Sequence, residues 1–226
     1  MTDETIPSVF RPPRDWEAVF AADTNTYTFG EEPSQLARTT LSFFRVFGGD
    51  PENAVALDLG CGEGRDTLYL AATGLRVVAR DIAPTGLEKM AALFQKHGLS
   101  MSRVDAAVQD VRDFAYPEAE YDIALAANVF QFLPPEEAPE HIGKLQRTTK
   151  AGGLCAVGVF SPAMLAWGAD LEGLFCAAPD ELMACFPADA GWRLLDRTEY
   201  WTYRPQEDTM ASFTYVIARK APADGN

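Results

Sequence analysis

A short apolar run that ends in three glycines sets the strongest limit on the fold. Val55 to Leu59 is followed by Gly60, Gly62 and Gly64 at alternate positions. A brief apolar run bounded by glycines is typical of a buried strand. Glycine also permits tight turns and a close approach of the backbone to a ligand. The sequence therefore predicts a strand that ends in a turn whose main chain faces a bound molecule.

Strand-like and helix-like patterns alternate from Asn53 onward. Segments typical of strands cover 54–60, 75–81, 103–109, 121–128 and 154–160, with amphipathic helical segments between them. Such alternation is the signature of βαβ units and a mostly parallel sheet. Two long β-rich runs, 191–203 and 210–220, are joined by a short polar loop and predict an antiparallel hairpin. We therefore expect an α/β fold.

The first fifty residues differ in character from the rest. Residues 14–22 and 33–47 have helical patterns, and the turn-rich segment 23–33 between them contains Tyr27 and Phe29. We call 23–33 the lid loop and expect it to close over a ligand. The chain length favours one domain. We expect it to cover 1–226, with 1–50 as a helical cap and 53–220 as the core.

The acidic composition and the lack of long apolar runs disfavour several kinds of partner. The 226 residues carry a formal net charge of −14, whereas nucleic-acid binding depends on Lys and Arg. No run approaches the roughly 20 apolar residues of a membrane span, and the N-terminus lacks the apolar segment of a signal peptide. We therefore expect a cytoplasmic protein whose partner is a small molecule, with no nucleic acid and no membrane partner.

The cysteines and histidines do not indicate a metal site. The four cysteines form no CxxC pair, and we expect reduced thiols. The two histidines, His97 and His141, fall on polar helical stretches. The sequence predicts no metal.

The glycine spacing and one acid narrow the choice of cofactor. A nicotinamide-binding turn favours GxGxxG after the strand, but here the spacing is GxGxG and Arg65 follows. Asp58, at the strand end, would repel a pyrophosphate and attract a cation. A nicotinamide-dependent oxidoreductase is therefore the less favoured alternative, and a cationic cofactor fits better.

The motif VALDLGCGEG at 55–64 resembles the first motif of class I methyltransferases, whose cofactor S-adenosylmethionine carries a sulfonium and an ammonium. The resemblance implies a Rossmann-like, seven-stranded, mostly parallel sheet with an antiparallel C-terminal hairpin and helices on both faces. It also implies that Asp81 binds the ribose and that Asp110 and Val111 bind the adenine, with Asp113 as an alternative to Asp110. Asn128 follows the fourth strand, where the methyl group is expected. The complete set of expected cofactor contacts is Tyr27, Asp58, Gly60, Cys61, Gly62, Gly64, Asp81, Ile82, Asp110, Val111 and Asn128.

The segments 62–90 and 121–153 resemble the tellurite-resistance and thiopurine-like group of small-molecule methyltransferases. This resemblance implies a small acceptor such as a thiol or a metalloid oxyanion, and S-adenosylhomocysteine as product. Gln131 stands where that group often has a histidine, which weakens the transfer of acceptor chemistry. No catalytic residue is indicated, and a non-catalytic protein that binds the cofactor or its product is the alternative. Aromatic residues are candidates for the acceptor pocket wall: Trp167, Tyr200, Trp201 and Tyr203.

Overall fold

A seven-stranded sheet forms the centre of the computed structural model, which describes residues 12, 15–204 and 209–223. Six α-helices surround it in the described part of the chain. The strands are β1 (Val55–Leu59), β2 (Arg76–Asp81), β3 (Val104–Val108), β4 (Tyr121–Ala127), β5 (Thr149–Phe160), β6 (Trp192–Arg204) and β7 (Thr209–Lys220). The helices are α1 (Trp16–Ala22), α2 (Gln35–Val46), α3 (Arg65–Ala72), α4 (Pro84–Lys96), α5 (Ala138–Thr148) and α6 (Pro179–Ala184).

The strand order is β3-β2-β1-β4-β5-β7-β6. The first five strands in this order are parallel, and β7 is antiparallel to both β5 and β6. The chain runs outward from β1 through β2 to β3 and then returns to β4 on the other side of β1. Ligands of open α/β sheets bind at such a switch point, beyond the carboxyl ends of the strands. The predicted fold class and the predicted hairpin are confirmed.

Two apolar layers cover the sheet, one on each face. Leu57 and Leu59 of β1 pack in a cluster with Ile142 of α5. Ala56, which precedes Leu57, points to the other face and packs in a cluster with Leu41 and other residues of α2. Because successive side chains of a strand point to opposite faces, β1 must be apolar at consecutive positions, and this explains its continuous apolar run.

Two local details differ from the sequence predictions. Strand β5 begins at Thr149, five residues earlier than expected, and includes Gly152 with a φ of 78°. His141 was expected on a polar helix stretch, but it is buried, and its Nδ1 lies 3.1 Å from the Tyr116 hydroxyl. The reason is that α5 buries the stripe containing Ala138, His141, Ile142 and Leu145. In the described ranges, no helix combines the length and the apolar character that crossing a membrane would require.

Gly64→Ala is expected to destabilise the protein more than Gly98→Ala. Both glycines have positive φ, 82° and 66°, so each substitution strains the backbone by about 1–2 kcal/mol. A Cβ at Gly64 would also lie 2.2 Å from Met90 Cγ, whereas a Cβ at Gly98 meets nothing within 4 Å. Overpacking typically adds about 1–3 kcal/mol. Urea denaturation of both variants measures the difference, and equal losses would contradict this account of Gly64.

Candidate functional site

A cavity of about 940 Å³ opens at the carboxyl ends of β1, β2 and β4, and the lid loop covers part of it. All the expected cofactor contacts except Gly64 line this cavity: Tyr27, Asp58, Gly60, Cys61, Gly62, Asp81, Ile82, Asp110, Val111 and Asn128. These residues come from the lid loop and from the ends of four strands. The sheet topology therefore brings together segments that are far apart in the sequence.

The glycine turn presents its backbone to the cavity. Gly60, Gly62 and Gly64 all have positive φ, 76°, 52° and 82°. A Cβ at Gly60 would lie 2.5 Å from Val129 Cβ, so the turn and the loop after β4 can approach only without a side chain there. Gly64 instead packs against Met90 of α4. Its assignment as a cofactor contact stays a prediction, and its evident role in the structure is helix packing.

Asp81 holds the glycine turn in place. Its Oδ2 accepts a hydrogen bond of 2.8 Å from the Gly62 N–H, and its Oδ1 accepts one of 2.9 Å from the Ala83 N–H. Burial raises the pKa of the carboxyl group above its ordinary value, although these backbone bonds oppose the shift. Each carboxylate oxygen has a second lone pair. Asp81 can therefore accept two further hydrogen bonds from a ligand in the cavity.

Asp58 is a buried acid at the end of β1. Its Oδ2 accepts a hydrogen bond of 2.6 Å from the Thr67 hydroxyl. Burial, reinforced by the nearby Asp66, raises the pKa of Asp58 to about 7. A cation placed beside Asp58 would stabilise its ionised form. This end of the cavity therefore favours a positively charged ligand group.

Asp110 lies in the cavity, but its carboxylate is already paired. Arg112 Nη2 lies 2.5 Å from Asp110 Oδ2, and Arg112 Nε lies 3.0 Å from Oδ1. The Arg112 guanidinium holds the pKa of Asp110 below its ordinary value. Val111, the residue between Asp110 and Arg112, is buried. The alternative residue, Asp113, is exposed and is not among the residues that line the cavity.

Two side-chain amides at the end of β4 have buried oxygens without partners. Within the described ranges, neither Asn128 Oδ1 nor Gln131 Oε1 has a hydrogen-bond partner. Asn128 has a φ of 62°, which is unusual for a residue other than glycine. Both residues line the cavity. The sequence reasoning considered Gln131 only as a departure from a family pattern, although a glutamine between two phenylalanines was an available signal.

Buried ionic contacts fix the lid loop to the core, and the sequence reasoning missed them. Glu63 forms an ion pair with Lys89, and both side chains are almost fully buried. Glu63 also accepts a hydrogen bond of 2.7 Å from the Thr28 N–H. Asp66 accepts hydrogen bonds of 2.6 and 2.7 Å from the N–H and hydroxyl of Ser34. No local pattern pairs these residues, because each partner lies more than twenty positions away.

Arg65 also reaches the lid loop. Its Nη1 donates a hydrogen bond of 3.0 Å to the Phe29 carbonyl, and its guanidinium lies 5.4 Å from the centre of the Phe29 ring. Arg65 thus contacts Phe29 of the lid loop.

The comparisons with known proteins agree with this geometry. Residues 56–153 match the protein-family model described as a methyltransferase domain. With the strand order and the glycine turn, this match places the chain in the class I methyltransferase fold and confirms the class predicted from the sequence. The matched segment, which is less than half of the chain, is similar to S-adenosylmethionine-dependent methyltransferases.

Several relatives are more specific. A 97-residue segment is 34% identical to the probable S-adenosyl-L-methionine-dependent methyltransferase TehB of Haemophilus influenzae, and it covers 43% of this chain and 32% of that protein. The match thus spans about a third of the length of this relative. A 161-residue segment is 29% identical to the 2-heptyl-1-hydroxyquinolin-4(1H)-one methyltransferase of Mycobacteroides abscessus, covering 68% of this chain and 69% of that protein.

Solved structures share the fold at low identity. A structure from work on the conversion of a disulfide bond into a thioacetal group during echinomycin biosynthesis has a TM-score of 0.65 and 19% identity, and covers 92% of each chain. The crystal structure of TehB from Haemophilus influenzae has a TM-score of 0.63 and 22% identity, covering 91% of this chain and 67% of that one. These likenesses support the architecture and say nothing about the acceptor.

Asp58→Asn is expected to weaken the pH dependence of stability. The folded protein holds a proton on Asp58 that the unfolded chain releases above its ordinary pKa of 3.8. The free energy of unfolding should therefore fall as the pH rises through 3.8 towards 7, by about 1.4 kcal/mol per pH unit at most. Asparagine removes the titrating group but can still accept the hydrogen bond from Thr67. Urea denaturation at several pH values, with exposed Asp113→Asn as control, measures the slopes. A slope for Asp58→Asn as steep as that of the unmodified protein would contradict the assignment.

Proposed function

We propose that the chain transfers a methyl group from S-adenosylmethionine to a small-molecule acceptor. The observation that carries the proposal is that one cavity joins two chemically different ends. One end contains the glycine turn and buried acids without enough cations to balance them, and the other is walled by aromatic side chains. A cationic nucleoside fits the first end, and an organic acceptor fits the second.

The residues present fit the cofactor. We assign Asp81 to the ribose hydroxyls, because both of its oxygens retain acceptor capacity. The backbone of Gly60 to Gly62 would face the methionine part, and Asp58 and the unpartnered Asn128 Oδ1 suit its ammonium group. Asp110 and Val111 would border the adenine, with Asp110 sharing its oxygens between Arg112 and the ligand.

The chain's own contribution is to bind, orient and exclude water. The bound cofactor supplies a methyl group on a positively charged sulfur, and an acceptor atom displaces the sulfur, which leaves as a neutral thioether. Holding the acceptor atom in line and about 3 Å from the methyl carbon accounts for much of the acceleration of such a reaction. Burial raises the pKa of Tyr200 to about 12, so this hydroxyl stays protonated and is no base at neutral pH. Tyr200 therefore does not take up the acceptor proton.

The range of acceptors remains a proposal. TehB and the hydroxyquinolinone methyltransferase are both relatives of the chain, and the name of the second describes an aromatic N-hydroxy compound as its substrate. The sequence favoured a thiol, a metalloid oxyanion or a similar small acceptor. Both kinds of acceptor can be methylated without a strong base, as this site requires.

The test of this function is the binding of S-adenosylmethionine by the purified chain and the production of S-adenosylhomocysteine with a panel of small acceptors. Asp81→Asn is expected to weaken the binding of S-adenosylmethionine about a hundredfold, because the loss of charge-assisted hydrogen bonds to hydroxyls costs about 1.5–3 kcal/mol each. Calorimetric titration measures the affinity.

Asp113→Asn, outside the cavity, is the matched control for Asp81→Asn. Thermal unfolding of both variants shows whether the fold survives, since Asp81 also holds the Gly62 N–H. Unchanged affinity in a folded Asp81→Asn variant would remove the ribose assignment. Tight binding without turnover on any acceptor would favour the non-catalytic alternative.

The lid loop supplies a further prediction. Tyr27 is half-buried and lines the cavity, and its hydroxyl makes only a long hydrogen bond of 3.4 Å to the Lys89 carbonyl. We expect Tyr27→Phe to bind S-adenosylmethionine as the unmodified chain does. Tyr27→Ala, which removes the ring, should weaken binding about tenfold. Equal affinities for all three proteins, measured by calorimetry, would exclude a role of Tyr27 in closing over the cofactor.

A further inference from the structure

We propose that the acceptor is an uncharged, planar aromatic molecule that carries an O–H or N–H group beside the atom to be methylated, and that Gln131 Oε1 accepts a hydrogen bond from that group. The inference rests on the proposed methyltransferase function and specifies its acceptor. Gln131 would be the specificity-determining residue of the reaction, acting on the acceptor and not on the cofactor.

The position of Gln131 points to a ligand. Its side chain is 1% exposed, lines the cavity, and has an oxygen without a hydrogen-bond partner in the described part of the chain. Its backbone is fixed, because the Gln131 carbonyl accepts a hydrogen bond of 3.1 Å from the Phe175 N–H. Buried polar groups in folded proteins nearly always have partners. A donor supplied by a ligand would satisfy this amide, which stands three residues after Asn128 at the end of β4.

The walls around Gln131 favour a flat ring. Phe132 lies next to it in sequence, with its ring centre 5.9 Å from that of Phe160. Phe213 follows at 5.3 Å from Phe160, and Tyr200 at 5.6 Å from Phe213. These four cavity-lining rings form a continuous aromatic wall. Ring centres 4.5–7 Å apart are the spacing at which aromatic groups attract one another, so an aromatic acceptor can extend the series.

The charges in the cavity disfavour an anionic acceptor. Six acidic and three basic side chains line it, the basic ones being Arg38, Arg65 and Arg112. Arg112 is paired with Asp110, and Arg65 donates to the Phe29 carbonyl. Arg38 is exposed and lies 3.8 Å from Glu32. A metalloid oxyanion would enter a site of net negative charge whose cations are already engaged, whereas an uncharged acceptor avoids that repulsion.

The aromatic wall continues to the surface. Trp201 and Tyr203 line the cavity and are 39% and 55% exposed. The ring of Trp167, which is 80% exposed, lies 6.0 Å from that of Trp201. An apolar substituent on the acceptor ring could lie along these side chains. Of the residues that the sequence proposed as pocket walls, Tyr200, Trp201 and Tyr203 line the cavity, whereas Trp167 is not among its lining residues.

The experiment compares acceptors that differ only in the neighbouring donor. Catechol is paired with its monomethyl ether guaiacol, and 2-aminophenol with 2-methylphenol, and all four probes are uncharged at neutral pH. Tellurite, selenite and 2-mercaptoethanol represent the other acceptor classes. With saturating S-adenosylmethionine, the expected result is kcat/KM for a donor-bearing probe at least tenfold above that of its partner, which corresponds to about 1.4 kcal/mol.

Gln131→Met removes the amide while keeping the length of the side chain. The preference for donor-bearing probes should then fall to less than about threefold, with unchanged affinity for S-adenosylmethionine. Because the amide oxygen has no partner among the residues that the structure describes, the midpoint of thermal unfolding should not fall. Gln95→Met, at an exposed position on α4 outside the cavity, is the matched control. If Gln131→Met does not fold, the wild-type preference between matched probes still tests the proposal.

Several results would overturn the proposal. The first is faster turnover of tellurite, selenite or 2-mercaptoethanol than of any arene. The second is a preference for donor-bearing probes that survives in folded Gln131→Met, and the third is equal turnover of the matched probes by the unmodified chain. Failure of the complex with S-adenosylhomocysteine to bind or methylate any arene at millimolar concentration would also overturn it. Failure of the proposed function itself would differ, because S-adenosylmethionine would then not bind or no acceptor would react.

Discussion

The hydrogen bond from the Gly62 N–H to the Asp81 carboxylate joins the ends of β1 and β2 and fixes the shape of the site. It holds the glycine turn in a conformation with positive φ, in which a side chain at Gly60 would collide with Val129. The same carboxylate binds the Ala83 N–H at the start of α4. Asp81 therefore fixes both the glycine turn and the start of α4, and its remaining lone pairs face the cavity. The rest of the cavity is arranged around these contacts.

Buried charge also couples the cap to the core. Lys89 pairs with Glu63 and donates a hydrogen bond of 2.8 Å to the Asp23 carbonyl, and Glu63 binds the Thr28 N–H. A buried ion pair is tolerated only when further hydrogen bonds satisfy its members, and here the lid loop provides them. The lid loop is therefore attached through polar bonds to residues beside the glycine turn, so its position and the geometry of the turn depend on each other.

The two ends of the cavity differ in chemical character. Acids predominate around the glycine turn, where a cationic cofactor is stabilised, and aromatic rings with an unsatisfied amide surround the place of the acceptor. The hydroxyl of Tyr200 stays protonated at neutral pH, and neither histidine lines the cavity. Such a site gains its rate from orientation and from the positive charge of the cofactor. In the proposed function, the shape of this end and one hydrogen bond select the acceptor.

Local patterns in the sequence were enough to predict the strands, the hairpin and the acid Asp58 at the end of β1. Asp81 and Asp110 were implied by the resemblance to class I methyltransferases, and parallel strands place the residues after them at one edge of the sheet. The partners of buried polar groups depend instead on contacts between distant segments. Local spacing could not show that His141 is buried or that Glu63 meets Lys89. The sequence likewise could not show that the side-chain oxygen of Gln131 is buried without a partner among the described residues. Whether a buried group finds a partner depends on every element that packs around it.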